Sequence, residues 1–251
     1  MSPYAQDGFL ARFDWAVEGA EAVAPGAAVV AVVDVLSFTT TLTVAVDLGV
    51  EVYPYPFRDD TARAYAARRD AVLAVGRAQA TGDGQVTLSP ASVRAATGLR
   101  RLVLPSPNGS TIARRLAGTG AIVVAVGLRN VDAAAEWVAA RLGPRGAVAA
   151  IAGGERRPDG SLRPAVEDLW GAGAFLDGLA ARGVGPLSPE AQAAAAAYRE
   201  VRDRLPASLW DCASGRELRE YGYPDDVRIA AEVDASRAVP VLDGDRFVGA
   251  T

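Results

Sequence analysis

Short apolar runs rich in β-branched residues alternate with stretches of helical periodicity along most of the chain, and glycines or polar turns separate them. That alternation predicts an α/β fold, with a mostly parallel sheet flanked by helices. Strands are expected near residues 12–17, 27–34, 51–55, 71–75, 101–105, 121–126 and 147–152. Helices are expected near 39–48, 59–69, 90–96, 110–117 and 131–142. After Pro164 the helical period dominates, with helices over 164–181, 189–204 and 216–221. Ser188 and Pro189 suit the start of the second, while Ser214 with Glu217 reads as a capping box for the third, which Gly222 ends. A hairpin over 239–242 and 245–248, turned at Asp243-Gly244, closes the pattern. The whole reads as one domain over 1–251, divisible into two tightly joined α/β lobes, about 1–100 and 101–251, with the site between them.

Two stretches stand out, VVAVVDVLSFTTT at 29–41 and LVLPSPNGST at 102–111. Each runs an apolar strand into a hydroxyl-rich turn that opens a helix, where unpaired amides and the positive end of the dipole favour a phosphate. The first offers Asp34 with Ser37, Thr39 and Thr40; the second offers Asn108, Gly109, Ser110 and Thr111. Asp34 reads as a metal ligand or nucleophile, and otherwise as a plain strand end with a hydroxyl cap. The Asn108 turn is otherwise an ordinary turn and cap. Glu167 and Asp168 open the helix after Pro164, where the dipole alone favours acids; converging with Asp34, they would complete a magnesium site. Adjacent helical residues diverge by about 100°, so one of the two should aim more squarely at the site. Two loops, 77–87 and 153–163, follow strands at the carboxyl edge of the sheet, where α/β proteins place ligands. Arg77 opens the first and could neutralise an anionic substrate. The stretch GAGAFLDG at 171–178 follows no strand, so it reads as close helix packing rather than a dinucleotide turn.

Composition narrows the chemistry. The chain has no histidine and no lysine, so its 26 basic residues are all arginine. Serine and cysteine catalysis through histidine, Schiff-base lysines, phosphate-loop lysines and histidine-ligated zinc are thereby excluded. Carboxylates, hydroxyls, amides and arginines remain, and they suit Mg²⁺. A net charge of −4 without basic blocks speaks against nucleic acid as a partner. No apolar run reaches membrane-spanning length, and the first residues lack a signal-peptide pattern, so a cytoplasmic protein without a membrane partner is expected. Cys212 is the single cysteine and reads as a packing residue.

The segments Asp34-Val35-Leu36 with its threonine tail, Leu88-Ser89-Pro90, Pro107 to Thr111, Val166-Glu167-Asp168, GRELREYGYPDDV and VPVLDG resemble the 2-phosphosulfolactate phosphatase family, the ComB-type phosphatases, in order and spacing. The resemblance implies an α/β fold unlike the commoner phosphatases, Mg²⁺ dependence, and hydrolysis of the phosphate ester of a sulfonated hydroxy acid in coenzyme M biosynthesis. With the residues read above, this puts catalysis on Asp34, Asn108, Glu167 and Asp168, with metal on Asp34 and one or both of Glu167 and Asp168. Substrate would be bound by Ser37, Thr39, Thr40, Arg77, Ser89, Gly109, Ser110 and Thr111. The expected partner is a small anionic phosphoester; a homodimer is admitted without any feature that requires one. Family members usually carry arginine at the position of Ser37, and many have a glycine-glutamate pair where this chain has Gly76-Arg77. One arginine is therefore lost and another gained beside the expected anion pocket. A phospho-ligand binder without turnover and a phosphatase for another small anionic ester remain the alternatives.

Overall fold

The computed structural model describes residues 2–56, 59–80 and 85–250. Of the loop expected over 77–87, residues 81–84 lie outside the described residues. The main strands are β1 (Ala11–Trp15), β2 (Ala27–Val33), β3 (Glu51–Tyr55), β4 (Val72–Leu73), β5 (Arg101–Pro105), β6 (Ile122–Val126) and β7 (Ala147–Ala152). A small separate ribbon pairs β8 (Glu155–Arg156) with β9 (Leu162–Arg163), and a terminal hairpin is formed by β10 (Pro240–Asp243) and β11 (Arg246–Gly249). The helices are α1 (Ala16–Val23), α2 (Phe38–Asp47), α3 (Asp60–Ala67), α4 (Pro90–Ala95), α5 (Gly109–Leu116), α6 (Val131–Arg141), α7 (Val166–Ala181), α8 (Pro189–Val201), α9 (Leu205–Asp211), α10 (Ala213–Glu220) and α11 (Pro224–Ala230).

The large sheet has the order β1-β7-β2-β6-β10-β11-β3-β5-β4. β1, β7, β2 and β6 are parallel, and so are β3, β5 and β4. Between the two blocks sits the hairpin, antiparallel to β6 through Val241↔Val124 and to β3 through Phe247↔Val52. Three antiparallel pairings in succession mean that the two parallel blocks run in opposite senses.

Both faces of the sheet are buried, which explains the near-continuous apolar strands. Along β2, Val29, Ala31 and Val33 enter one core, with Val138 of α6 and Phe175 and Leu176 of α7. Val30 and Val32 enter the other, with Phe38 and Leu42 of α2 and Ile112 of α5. Burying Phe38 completely is worth about 1.5–3 kcal/mol relative to leaving it exposed. The glycines of α7 let it approach closely: a Cβ on Gly171 would lie 2.8 Å from Val35 Cγ2, and one on Gly173 would lie 2.1 Å from the Ala194 carbonyl oxygen. The GAGAFLDG stretch is helix packing, as its context indicates.

Several local expectations shift. The helix expected over 189–204 ends at Val201 and continues as a 3-10 turn over 202–204. α10 begins at Ala213, and its cap is Cys212, whose Sγ accepts the Gly215 amide at 3.3 Å; Ser214 lies inside the helix. Asp243 pairs with Arg246, so the hairpin turns at Gly244-Asp245, with Gly244 at φ +61 as a primed turn requires. Among the described residues, no helix is long and apolar enough to cross a membrane.

Candidate active site

Asp34 follows the last residue of β2 and is 6% exposed. Its Oδ1 accepts the amide of Phe38 at 3.2 Å and its Oδ2 the amide of Gly109 at 2.9 Å. The starts of α2 and α5 thus converge, as the paired junctions suggest, but they converge on this carboxylate. A Cβ at Gly109 would sit 2.2 Å from Phe38 Cδ1 and 2.8 Å from Asp34 Oδ2, so glycine is what lets α5 come this close.

The hydroxyls around them point elsewhere. Thr39 Oγ1 donates to the Asp34 carbonyl at 2.8 Å, Thr40 Oγ1 to that of Val35 at 2.7 Å, and Ser110 Oγ to that of Leu104 at 2.8 Å. All three residues are fully buried. Their side chains, expected at substrate, instead latch helix starts to strand ends, where the open chain leaves carbonyls without partners. Thr111 is half-buried, and the amides of Ser110 and Thr111 meet no acceptor among the described residues.

α7 brings both acids of its first turn inside. Asp168 accepts the Val35 amide on Oδ1 at 2.7 Å and the Gly154 amide on Oδ2 at 2.8 Å, binding the carboxyl ends of β2 and β7 together. Glu167 is 1% exposed, and its Oε2 has no hydrogen-bond partner among the described residues. Glu155, first residue of β8, joins them: its Oε2 accepts Asn108 Nδ2 at 3.0 Å. The sequence marks its loop but not the residue, although Glu155 follows β7 and a Gly-Gly turn much as Asp34 follows β2.

Crowding shows in the protonation of the group. Burial, followed by the charge of Asp34, pushes Glu155 up to about 7, and the Asn108 hydrogen bond only partly offsets this. Burial also raises Asp34 to about 6; its two amide donors pull it down, Glu167 pushes it up, and the positive charge of Arg77 reaches it. Asp168 is raised well above the ordinary range by burial and then by Asp34 and Glu167. Cys212 is pushed up to about 12 by burial and then by Glu167, which makes it a neutral neighbour rather than a nucleophile.

A cleft of ≈ 760 Å³ is lined by Arg77, Arg156, Arg157 and Arg163 together with Tyr223 and, of the four acids, Glu155. Arg77 is firmly held. Its Nη2 donates to Ser37 Oγ at 2.6 Å, to the Leu88 carbonyl at 2.9 Å and to Asp226 Oδ2 at 2.8 Å. Ser89, expected at substrate, caps α4 and donates its hydroxyl to the other oxygen of Asp226. Asp226 is absent from the sequence-derived residues because an acid at a helix start looks like a dipole partner. A larger cleft of ≈ 1030 Å³ opens at the amino-terminal ends of β2 and β7 and holds none of these residues.

Among the described residues, no three histidine, cysteine, aspartate or glutamate side chains form a ready-made metal cage. The donors nevertheless fit a hard cation. Glu167 Oε2 is buried without a partner, the acids repel one another, and Mg²⁺ commonly takes one or two carboxylates and completes its shell with water and phosphate.

The family described as 2-phosphosulpholactate phosphatase matches residues 17–245. The chain belongs to this family. A "Probable 2-phosphosulfolactate phosphatase" of Thermus thermophilus is 33% identical over 221 residues, which cover 86% of this chain and 88% of the relative. The chain is accordingly a phosphatase. The matched stretch contains every acid of the cluster, from Asp34 to Asp168, together with Arg77 and Asp226. Arg77 bonds to the side chain of Ser37, so a guanidinium sits beside that position.

Proposed function

We propose that this phosphatase is Mg²⁺-dependent and hydrolyses a small phosphorylated 2-hydroxy acid, converting 2-phosphosulfolactate to 3-sulfolactate and phosphate. One observation carries the reading: four carboxylates, Asp34, Glu155, Glu167 and Asp168, form one cluster whose Glu155 lines an arginine-rich cleft, with one buried oxygen unpartnered among the described residues. The family description and the name of the Thermus relative supply the substrate.

Asp34, with one or both of Glu167 and Asp168, would hold the ion, which when bound polarises a phosphoryl oxygen. The free amides of Ser110 and Thr111 at the start of α5 favour phosphate oxygens. Hydrolysis adds the oxygen of water to phosphorus and breaks the ester bond, so the leaving alkoxide needs a proton. Glu155, raised to about 7 and oriented by Asn108, is half-protonated near neutrality and suits that donation. Arg77 faces the acid end of the substrate.

Phosphate release from 2-phosphosulfolactate, 2-phospholactate and ethyl phosphate should be followed with Mg²⁺, with Mn²⁺ and after exhaustive chelation. Turnover of the acids, lost on chelation and restored by Mg²⁺, is expected. Binding without release would identify a phospho-ligand binder, and full activity in the metal-free protein would remove the metal from the reading.

A further inference from the structure

We infer that Asp226 is the positioning residue that sets how strongly this phosphatase distinguishes substrates carrying a second anion, acting entirely through Arg77. The inference rests on Arg77 being the group that meets the second anion.

The geometry is that of a clamp. Asp226 is 1% exposed, on the first turn of α11. Its Oδ2 accepts both Nε of Arg77, at 3.1 Å, and Nη2, at 2.8 Å. Its Oδ1 is occupied by the Ser89 hydroxyl. The same segment grips Arg77 a second time, since Tyr223 Oη donates to the Arg77 carbonyl at 3.0 Å and its ring centroid lies 5.4 Å from the guanidinium carbon. Nε and Nη2 are thus committed to the protein, while Nη1 makes no hydrogen bond among the described residues. Nη1 is the edge left for a ligand. The guanidinium lines the cleft, and its charge reaches Asp34.

A buried carboxylate in this place can do two opposite things to an anionic ligand. By charge alone, Asp226 cancels much of the attraction of Arg77, so its neutralisation should tighten anion binding. By orientation, it fixes a planar fork that would otherwise sample many rotamers, so its loss should loosen binding. The double grip on Oδ2, with Ser89 steadying Oδ1, makes orientation the stronger effect. Asp226 is buried and is not among the residues that line the cleft, so it acts through Arg77 rather than on the substrate itself.

The test compares phosphoglycolate, which carries a carboxylate, with ethyl phosphate, which does not, in wild type, Asp226→Asn, Arg77→Met and the double variant. Read as the ratio of kcat/KM values, discrimination should fall about 10-fold or more in each single variant. The double variant should be no worse than Arg77→Met, because both changes remove one interaction. Ethyl phosphate turnover should change far less, and the loss on phosphoglycolate should appear mainly in KM. Ser89→Ala, which leaves the ion pair in place, should lower the ratio by a few-fold and guards against an Asp226→Asn protein that fails to fold. Calorimetric affinities for the same two compounds give the ratio even if neither is hydrolysed, so a failure of the phosphatase reading is distinguishable from a failure of this one. Tighter phosphoglycolate binding in Asp226→Asn, multiplicative losses in the double variant, or an equal fall on both compounds would overturn the inference.

Discussion

In the buried floor of acids, which reaches the cleft through Glu155, the side chains of Asp34, Glu167 and Asp168 are at most 6% exposed, and main-chain amides hold Asp34 and Asp168 by both oxygens. On the outer rim of the cleft, Arg156 and Arg157 are exposed and donate to carbonyls of their own loop, at Gly160 and Leu162. The floor resists solvent and repels itself; the rim is solvated and screened. A negative charge on the floor is therefore felt at short range and nearly unscreened, whereas the rim acts as a diffuse field that salt erodes. Arg77 belongs to neither region, being a rim residue anchored as firmly as a floor residue.

The floor breaks most completely at Asp34. Asp34→Asn keeps the shape and removes the charge, and phosphate release at saturating Mg²⁺ should fall more than about 100-fold with little change in circular dichroism. Unaltered turnover would show that Asp34 merely ends a strand. A smaller effect separates floor from rim through protons. The ordinary values for Asp34 and Glu155, 3.8 and 4.5, are raised to about 6 and about 7. Their folded forms hold protons more tightly than the unfolded chain, so this contribution to stability is fully present below the ordinary values and is lost as pH rises through the folded ones. The melting temperature of metal-free protein should therefore fall between about pH 4.5 and pH 7.5, and Mg²⁺ should restore most of the loss at the upper end. A metal-free melting temperature that climbs across that window would mean that the acids are paired rather than crowded. The smallest effect belongs to the rim. Arg157→Gln should raise KM by less than about threefold, and the difference should vanish in about 0.5 M salt, as steady-state kinetics at two salt concentrations would show. A larger, salt-independent effect would put Arg157 in contact with substrate.

What could be read in the chain followed the range of the interactions. Asp34 and Asn108 stand out through a local rule, the polar residue between a strand end and a helix start, and Glu167 and Asp168 through their place in the first turn of a helix. Glu155 follows a strand end but opens the short strand β8 rather than a helix, and the two arginines after it make the loop look like solvated surface. Thr39, Thr40 and Ser110 lie in the right turns, but residue type does not say which way a hydroxyl points, and nearby carbonyls claimed all three. Asp226 is 149 residues from the arginine it holds, and no local pattern spans that distance. The hairpin at the end was visible in its turn chemistry; its seat in the sheet was not, since a strand's pattern names its faces and not its neighbours.

That seat has a consequence for how the chain comes together. During synthesis from the amino end, β6 and β3 both emerge long before the segment that must lie between them, and their facing edges stay unsatisfied until Pro240–Gly249 arrives. These late strands are the keystone of the sheet, so its centre closes after its flanks, through contacts of very large sequence separation that favour slow folding. Removing about fifteen residues from the carboxyl end would not trim an edge; it would leave two half-sheets with open strands, the kind of surface that recruits chaperones and seeds aggregation.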